Sequence, residues 1–167
     1  MSDEIENLER LAQEARTFMS GVRTLVLGTV SAGGEPEASY APFVHRAGEG
    51  FYVYVSELSR HTRNLKANGR ASALLLADEQ DTRQLFARTR LTFKCSARAV
   101  ARESDRWRSV LDEFEDGFGD VMQMIRPLTD FHLFELKAET GVYVRGFAQA
   151  YRFVGAGLEQ FGHISNA

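Results

Sequence analysis

Two sets of regularly spaced basic residues are the part of this sequence best suited to chemistry. Between residues 60 and 108 the chain carries twelve Lys or Arg and five Asp or Glu, a local net charge of +7, whereas the whole protein has a formal net charge of −3. One set has the spacing of a helix face and the other the parity of a strand face. They are Arg60, Arg63 and Lys66, and Arg88, Arg90 and Lys94. Two cationic surfaces predict a site for an anion, such as a phosphate or a carboxylate-bearing cofactor. Two merely solvated faces are the alternative.

The one cysteine limits the remaining chemistry. Cys95 has no second cysteine to pair with, which excludes an intramolecular disulfide and a cysteine-based metal site. It shares the parity of Leu91 and Phe93, the apolar side of its segment. This position predicts a packed thiol rather than a nucleophile.

Composition indicates an ordinary soluble protein. The 167 residues are 44% hydrophobic and 26% charged, which is typical of one globular domain. The acidic total disfavours nonspecific nucleic-acid binding. The longest apolar runs, such as residues 71–77, are too short to span a bilayer, and the acidic start does not resemble a secretion signal. We therefore expect a cytoplasmic protein with neither nucleic acid nor membrane as a partner.

The elements that must position these residues follow from periodicity and from turn residues. We expect helices at 2–20, 60–67 and 118–125, and a further helix capped by Ser104 that carries Trp107 to Phe114. We expect strands at 24–31, 38–45, 51–56, 70–77, 84–100, 131–136 and 142–153, with breaks at Gly141 and Gly146. This order indicates an α+β class in which a closed or partly closed barrel protects the strand edges. A single domain then comprises the N-terminal helix 2–20, a barrel at 23–154 and a C-terminal tail at 155–167.

The middle of the chain resembles a known superfamily. The strand 51–55, the helix start Ser59-Arg60-His61, the pair Asn64-Leu65 and the strand 70–76 are similar to the FMN-binding split barrel of the pyridoxamine 5′-phosphate oxidase-like superfamily. The resemblance implies an antiparallel six- to seven-stranded split β-barrel with flanking helices, assembled as a homodimer. In that superfamily a serine followed by two basic residues grips the flavin phosphate at a helix N-terminus.

Five blocks in order resemble one branch of that superfamily more specifically. Residues 39–44, 59–65, 85–93, 146–151 and 163–166 are similar to the haem-utilisation family of HugZ/HutZ type. The resemblance implies a homodimer that binds haem and opens its ring oxidatively, releasing iron. Haem is then both substrate and cofactor, and an unidentified electron donor supplies reducing equivalents.

The same resemblance implies a role for six residues. His163 matches the axial ligand of the haem iron, and Asp130 of the partner subunit would accept the hydrogen bond of that imidazole. Thr24 would help to position this pair, and Arg90 would lie on the distal side of the haem. Arg60 and His61 take the phosphate-binding positions, where they would meet the haem propionates. Eleven residues separate Tyr151 from His163, and a chain of that length reaches about 40 Å when extended.

Two other functions remain open from the sequence. The first is an FMN-binding oxidoreductase of the same fold, in which Arg60, Arg70 or Arg90 would meet the flavin phosphate. The second is a non-catalytic haem carrier or storage protein. His45 and His132 have no expected role beyond a surface or core position.

Overall fold

One curled antiparallel sheet dominates the computed structural model, which describes residues 2–164. The helices are α1 (Ser2–Ser20), α2 (Arg60–Asn68), α3 (Asp105–Phe118) and α4 (Val121–Ile125), with a short 3-10 helix at Leu85–Ala87. The strands are β1 (Thr24–Val30), β2 (Pro36–Pro42), β3 (Val44–Arg46), β4 (Gly50–Ser56), β5 (Arg70–Leu76), β6 (Arg90–Ala99), β7 (Phe131–Gly146), β8 (Gln149–Val154) and β9 (Glu159–His163).

Seven of these strands form a half-barrel in the order β2-β1-β5-β6-β7-β4-β3, and β8 and β9 extend the sheet from β7. All the neighbouring strands pair antiparallel. The expected α+β class and split-barrel architecture are therefore confirmed.

Alternating side chains fill the inside of the barrel. In β1, Leu25 and Leu27 are buried while their neighbours are more exposed, as expected for a strand with one covered face. In β6 the buried residues are Leu91, Phe93 and Cys95. The rings of Phe51 and Phe153 pack edge-on against Phe93, with centroids 4.8 Å and 5.2 Å away. The packed thiol is confirmed, because Cys95 is buried, and this burial raises the pKa of the thiol to about 12.

A second apolar cluster lies outside the barrel, beneath α3. Ser104 caps this helix by accepting a hydrogen bond from the backbone N–H of Trp107 at 3.1 Å, as its sequence position predicts. Trp107, Val110, Leu111 and Phe114 pack against Tyr52, Tyr54 and Leu133 of the sheet. No helix in the described part of the chain is both long and apolar enough to cross a membrane.

The expected strand at 84–100 is wrong in its first six residues. The strand begins at Arg90, after the 3-10 helix, and the side chain of Gln84 caps that helix by accepting a hydrogen bond from the backbone N–H of Phe86. Arg88 lies before the strand, where its Nε donates to the Ala77 carbonyl at 2.8 Å and its Nη1 pairs with Glu79 at 3.4 Å. The second basic set therefore does not share one strand face.

Two further differences concern the C-terminal third. Gly141 does not break a strand but lies inside the continuous strand β7, and Gly146 ends it. The expected tail contains β9, whose His163 pairs with Tyr151 of β8. Residues 165–167 of that tail lie outside the described residues.

Candidate functional site

The start of α2 presents free positive charge. Ser59 precedes the helix, but its side chain makes no capping hydrogen bond, so the first backbone N–H groups keep the partial positive charge of a helix N-terminus. Arg60 and Arg63 line a cleft of about 420 Å³ together with Glu37. Neither guanidinium forms an ion pair with any residue whose side chain the structure describes. Lys66, by contrast, is paired with Glu57 at 2.6 Å.

His61 points away from this cleft and into the protein. Its side chain is buried, and its Nδ1 lies 2.8 Å from the hydroxyl oxygen of Ser39. Ser39 donates its own proton to the Leu27 carbonyl at 3.2 Å, so Nδ1 of His61 is the donor in this contact. Burial lowers the pKa of His61, against a smaller opposing effect of the Glu37 carboxylate. His61 is therefore a neutral residue that ties α2 to β2.

Asp130, immediately before β7, is held at two points. Its Oδ2 accepts a hydrogen bond from the Ser56 hydroxyl at 2.9 Å, and its carbonyl accepts from the Glu57 amide at 2.8 Å. The carboxylate forms no ion pair, and its Oδ1 no hydrogen bond, with any described residue. Asp130 thus offers one fixed oxygen and one oxygen able to accept a hydrogen bond from a ligand.

The same turn joins Asp130 to α2. The Ser56 carbonyl accepts from the Thr62 hydroxyl at 2.6 Å and from the Ser59 amide at 3.1 Å. Thr62 is fully buried, which favours a fixed position for this contact. We call residues 56–62 the clamp turn. It holds the Asp130 carboxylate and the cationic start of α2 in one unit.

Thr24 and Arg90 lie together on the outer face of the sheet. Both have the parity opposite to the buried residues of their strands, and only β5 separates the two strands. Leu76 pairs with Arg90, and continuing the pairing of β1 with β5 places Thr24 opposite Leu76. Two strand spacings separate the residues by about 10 Å. Thr24 also lines an open cavity of about 840 Å³ with Tyr40 and Leu76.

Arg90 is half-buried, and its Nη1 donates to the Arg88 carbonyl at 3.0 Å. Five N–H donors are available on a guanidinium, so this bond leaves most of them for a ligand. The guanidinium is held against the start of its own strand, on the same sheet face as Thr24.

His163 lies apart from the other candidate residues. It is exposed at the end of β9, and its ring meets that of Tyr151 edge-on with centroids 5.3 Å apart. Tyr151 pairs with the buried Tyr143, so His163 belongs to the row of side chains on the inner face of the sheet. Arg90 is on the opposite face. A single chain in this conformation does not bring His163 to Asp130 or to Arg90.

Sequence reasoning missed Ser56 and Ser39, which orient Asp130 and His61. Ser39 lies 22 residues before His61 and Ser56 lies 74 residues before Asp130, so local spacing carries no signal for either contact. The available signal for Ser56 is its place at the end of a buried strand, directly before the basic helix start.

Comparisons with known proteins identify the family of this chain. The family model described as pyridoxamine 5′-phosphate oxidase matches residues 11–145. The chain is 43% identical over 155 residues to the heme oxygenase HutZ of Vibrio cholerae, covering 93% of this chain and 88% of that protein.

Two solved structures are also similar to this chain. The crystal structure of Vibrio cholerae HutZ, named there a heme storage protein, matches with a TM-score of 0.73 and 39% identity, covering 86% of this chain and 93% of that one. Campylobacter jejuni ChuZ matches with a TM-score of 0.84 and 33% identity, covering 93% of this chain and 63% of that one. The chain therefore belongs to the pyridoxamine 5′-phosphate oxidase family and, within it, to the group that contains HutZ.

Proposed function

We propose that this protein binds haem and degrades it oxidatively, so that iron is released. One observation carries the proposal. Among the described residues no cation pairs with the Asp130 carboxylate and no donor bonds to its Oδ1, while the clamp turn that holds its Oδ2 also carries Arg60, which pairs with no described acid. In a chain 43% identical to a heme oxygenase, these groups supply an acceptor for an imidazole N–H and a cation for a propionate.

The residues present fit the group in charge and in hydrogen bonding. Haem, when bound, supplies the iron at which oxygen is activated, and its porphyrin ring is the substrate. His163 would ligate the iron through one ring nitrogen and donate its other N–H to Asp130, an arrangement that makes a ligating imidazole a better electron donor. Arg90 would donate hydrogen bonds on the distal side, and Thr24 would position the pair of His163 and Asp130. Of the two α2 residues, Arg60 fits a propionate, whereas His61 is turned inward.

The proposal includes a homodimer. His163 and Asp130 do not meet within one chain, so His163 of one subunit would reach Asp130 of the other. The outer face of the sheet offers an apolar surface for such a contact. Consecutive strands place side chains there in one continuous row: Tyr40, Val26, Leu74, Thr92, Val142 and Arg152. Tyr40 leaves 60% of its surface exposed, more than a tyrosine on a covered sheet face usually does.

Hemin titration tests the ligand. Wild-type protein should give a Soret band that saturates at one haem per subunit. His163→Ala should lose or shift that band, whereas Glu159→Ala, an exposed change on the same strand, should not. An unchanged Soret band in His163→Ala would remove His163 from the site.

Light scattering tests the homodimer. The measured mass should be twice the chain mass, and Val26→Glu on the outer face should lower it. A monomeric wild-type protein would overturn the dimeric site.

Turnover separates degradation from storage. With an electron source and air, degradation predicts loss of the Soret band and ferrous iron that a chelator captures. The storage alternative, favoured by the name of the HutZ crystal structure, predicts that the band persists under the same conditions. The electron donor in the cell would be a separate reductase or a small reductant, and the reaction would take place in the cytoplasm.

The match to the pyridoxamine 5′-phosphate oxidase model favours one second candidate, an FMN-binding oxidoreductase. The free N–H groups at the start of α2 and the Arg60 guanidinium suit a phosphate. The inward orientation of His61 removes the second basic group from that position. Titration of FMN beside hemin into one preparation decides between them, because FMN binding alone would contradict the haem proposal.

A further inference from the structure

We propose that Ser56 is a positioning residue for the haem site, because its hydroxyl determines which oxygen of Asp130 faces the ligand. The inference rests on the proposed function, in which Asp130 accepts a hydrogen bond from an iron-bound imidazole. It adds a residue that acts on the site through Asp130 rather than by touching haem.

The hydrogen bonds around Ser56 leave its hydroxyl only one arrangement. The oxygen accepts from the Leu58 backbone N–H at 3.2 Å, so the single hydroxyl proton is directed at Asp130 Oδ2, 2.9 Å away. The Ser56 carbonyl is held in turn by Thr62 and Ser59. The backbone thus fixes the donor before any ligand arrives.

Asp130 depends on this one donor. Among the side chains that the structure describes, only Ser56 hydrogen-bonds to the carboxylate, and no cation lies within ion-pair distance. The terminal torsion of an aspartate is broad and nearly two-fold. Without the serine hydroxyl the two oxygens become equivalent, and Oδ1 loses its preferred direction. Removing an outer hydrogen bond to a metal-bound ligand commonly lowers metal affinity or activity by about tenfold or more.

Resonance Raman spectroscopy of the ferrous haem complex gives the direct test, since the iron–histidine stretching frequency reports the hydrogen bond made by the axial imidazole. Asp130→Asn should lower this frequency. Ser56→Ala should lower it in the same direction by a smaller amount, and Ser56→Thr, which keeps the hydroxyl, should restore it. Hemin affinity should fall by up to about tenfold in Ser56→Ala. Ser109→Ala is the matched control, because it removes a hydroxyl on α3 that accepts a hydrogen bond from Arg46 and lies away from Asp130.

A double variant distinguishes positioning from a purely structural effect. In the Asp130→Asn background, Ser56→Ala should cause no further shift, because the residue through which it acts is already changed. A frequency shift in Asp130→Asn without one in Ser56→Ala overturns the role of Ser56 alone. No shift in Asp130→Asn overturns the proposed role of Asp130 itself. If Ser56→Ala does not fold, Ser56→Cys provides the same comparison with a weaker donor.

Discussion

Asp130 and His163, which we propose belong to one site, differ in how firmly the fold holds them. Asp130 lies immediately before β7, beside the end of the paired strand β4, and is fixed by hydrogen bonds to its carbonyl and its carboxylate. His163 ends β9, a strand whose one neighbour among the described strands is β8. Before it, Leu158 and Gln160 have left-handed backbone angles, with φ of +56° and +50°, which cost a non-glycine residue roughly 1 kcal/mol each.

An interrupted ladder with β8 and a few side chains attach β9 to the barrel. Leu158 is buried in the core, and the Phe161 ring stacks on Phe153 with centroids 5.6 Å apart. Arg16 of α1 donates to the Gly157 carbonyl at 3.1 Å. An edge strand with a few such anchors opens more easily than a central strand. The fold therefore fixes the acid, while the location of the imidazole depends on how firmly β9 docks.

Gly141→Ala should cause the largest loss of stability, and it should act on the β8–β9 region that carries His163 rather than on the region around Asp130. The first part of β7 pairs with β4 beside Asp130, whereas its last part pairs with β8. A Cβ at Gly141 would overlap the Phe153 ring and the Thr92 carbonyl. We expect a loss of about 3 kcal/mol in the free energy of unfolding, measured by urea denaturation.

Hydrogen exchange of the same variant tests where the damage falls. Amides of β8 and β9 should exchange faster, whereas those of the clamp turn should change less. Equal acceleration in both regions would show that β7 transmits the strain along its length and that the two regions are not independent.

Gly141 also illustrates how far the sequence predicts this fold. The two-residue alternation of β1 and β6 predicts which side chains fill the barrel, and it does so correctly because one face of each strand is covered. The same local reasoning interprets Gly141 as a strand break. The glycine is instead required by the Phe153 ring, which the neighbouring strand β8 places directly opposite it.

The candidate site shows the same limit more strongly. The spacing of Arg60 and Arg63 predicts the cationic face of α2, and both side chains line one cleft without an ion pair to a described acid. The inward orientation of His61 cannot be predicted from the sequence, because its hydrogen-bond partner Ser39 lies on strand β2, 22 residues earlier. Strand β9 was also missed, since its attachment by Leu158 and Phe161 follows no strict alternation with its exposed neighbours. Contacts distant in the chain determine all these details.

Phe161→Ala should weaken the attachment of β9 itself, with a smaller loss in the free energy of unfolding than Gly141→Ala. The ring is half-buried against three aromatic residues of the sheet, so its removal should cost about 2 kcal/mol, less than a fully buried phenylalanine. Hydrogen exchange should locate this loss in residues 159–163 and leave the amides around Asp130 unchanged.

Gln160→Gly serves as a control for β9 that relieves backbone strain without removing an aromatic contact. A glycine accepts the left-handed angle without strain, so this exposed change should slow exchange in β9 or leave it unaltered. Two results would contradict the view that aromatic docking holds β9 against backbone strain. One is faster exchange of β9 in Gln160→Gly, and the other is unchanged exchange of β9 in Phe161→Ala.

The smallest expected effect is a pH dependence that comes from His61 in the anchored region. Burial lowers the pKa of His61 in the folded protein below its ordinary value of 6.5. As the pH falls through 6.5 the unfolded chain therefore binds a proton before the folded protein does, so the free energy of unfolding decreases until the folded imidazole is also protonated. One such group contributes a slope of at most about 1.4 kcal/mol per pH unit. Urea denaturation of wild type and His61→Gln between pH 8 and pH 5 measures it.

The stabilities of wild type and His61→Gln are compared relative to pH 8, because His61 is neutral there in both the folded and the unfolded state, so the difference reflects packing and the hydrogen bond to Ser39. Below pH 6.5 the wild-type protein should lose stability faster than His61→Gln. The lowered pKa values of Glu49 and Glu57 act in a separate window, below the ordinary carboxyl value of 4.5, and do not disturb this range. Parallel curves would mean that the imidazole gains water access on the side of the cleft, which would return His61 to the anion-binding group with Arg60.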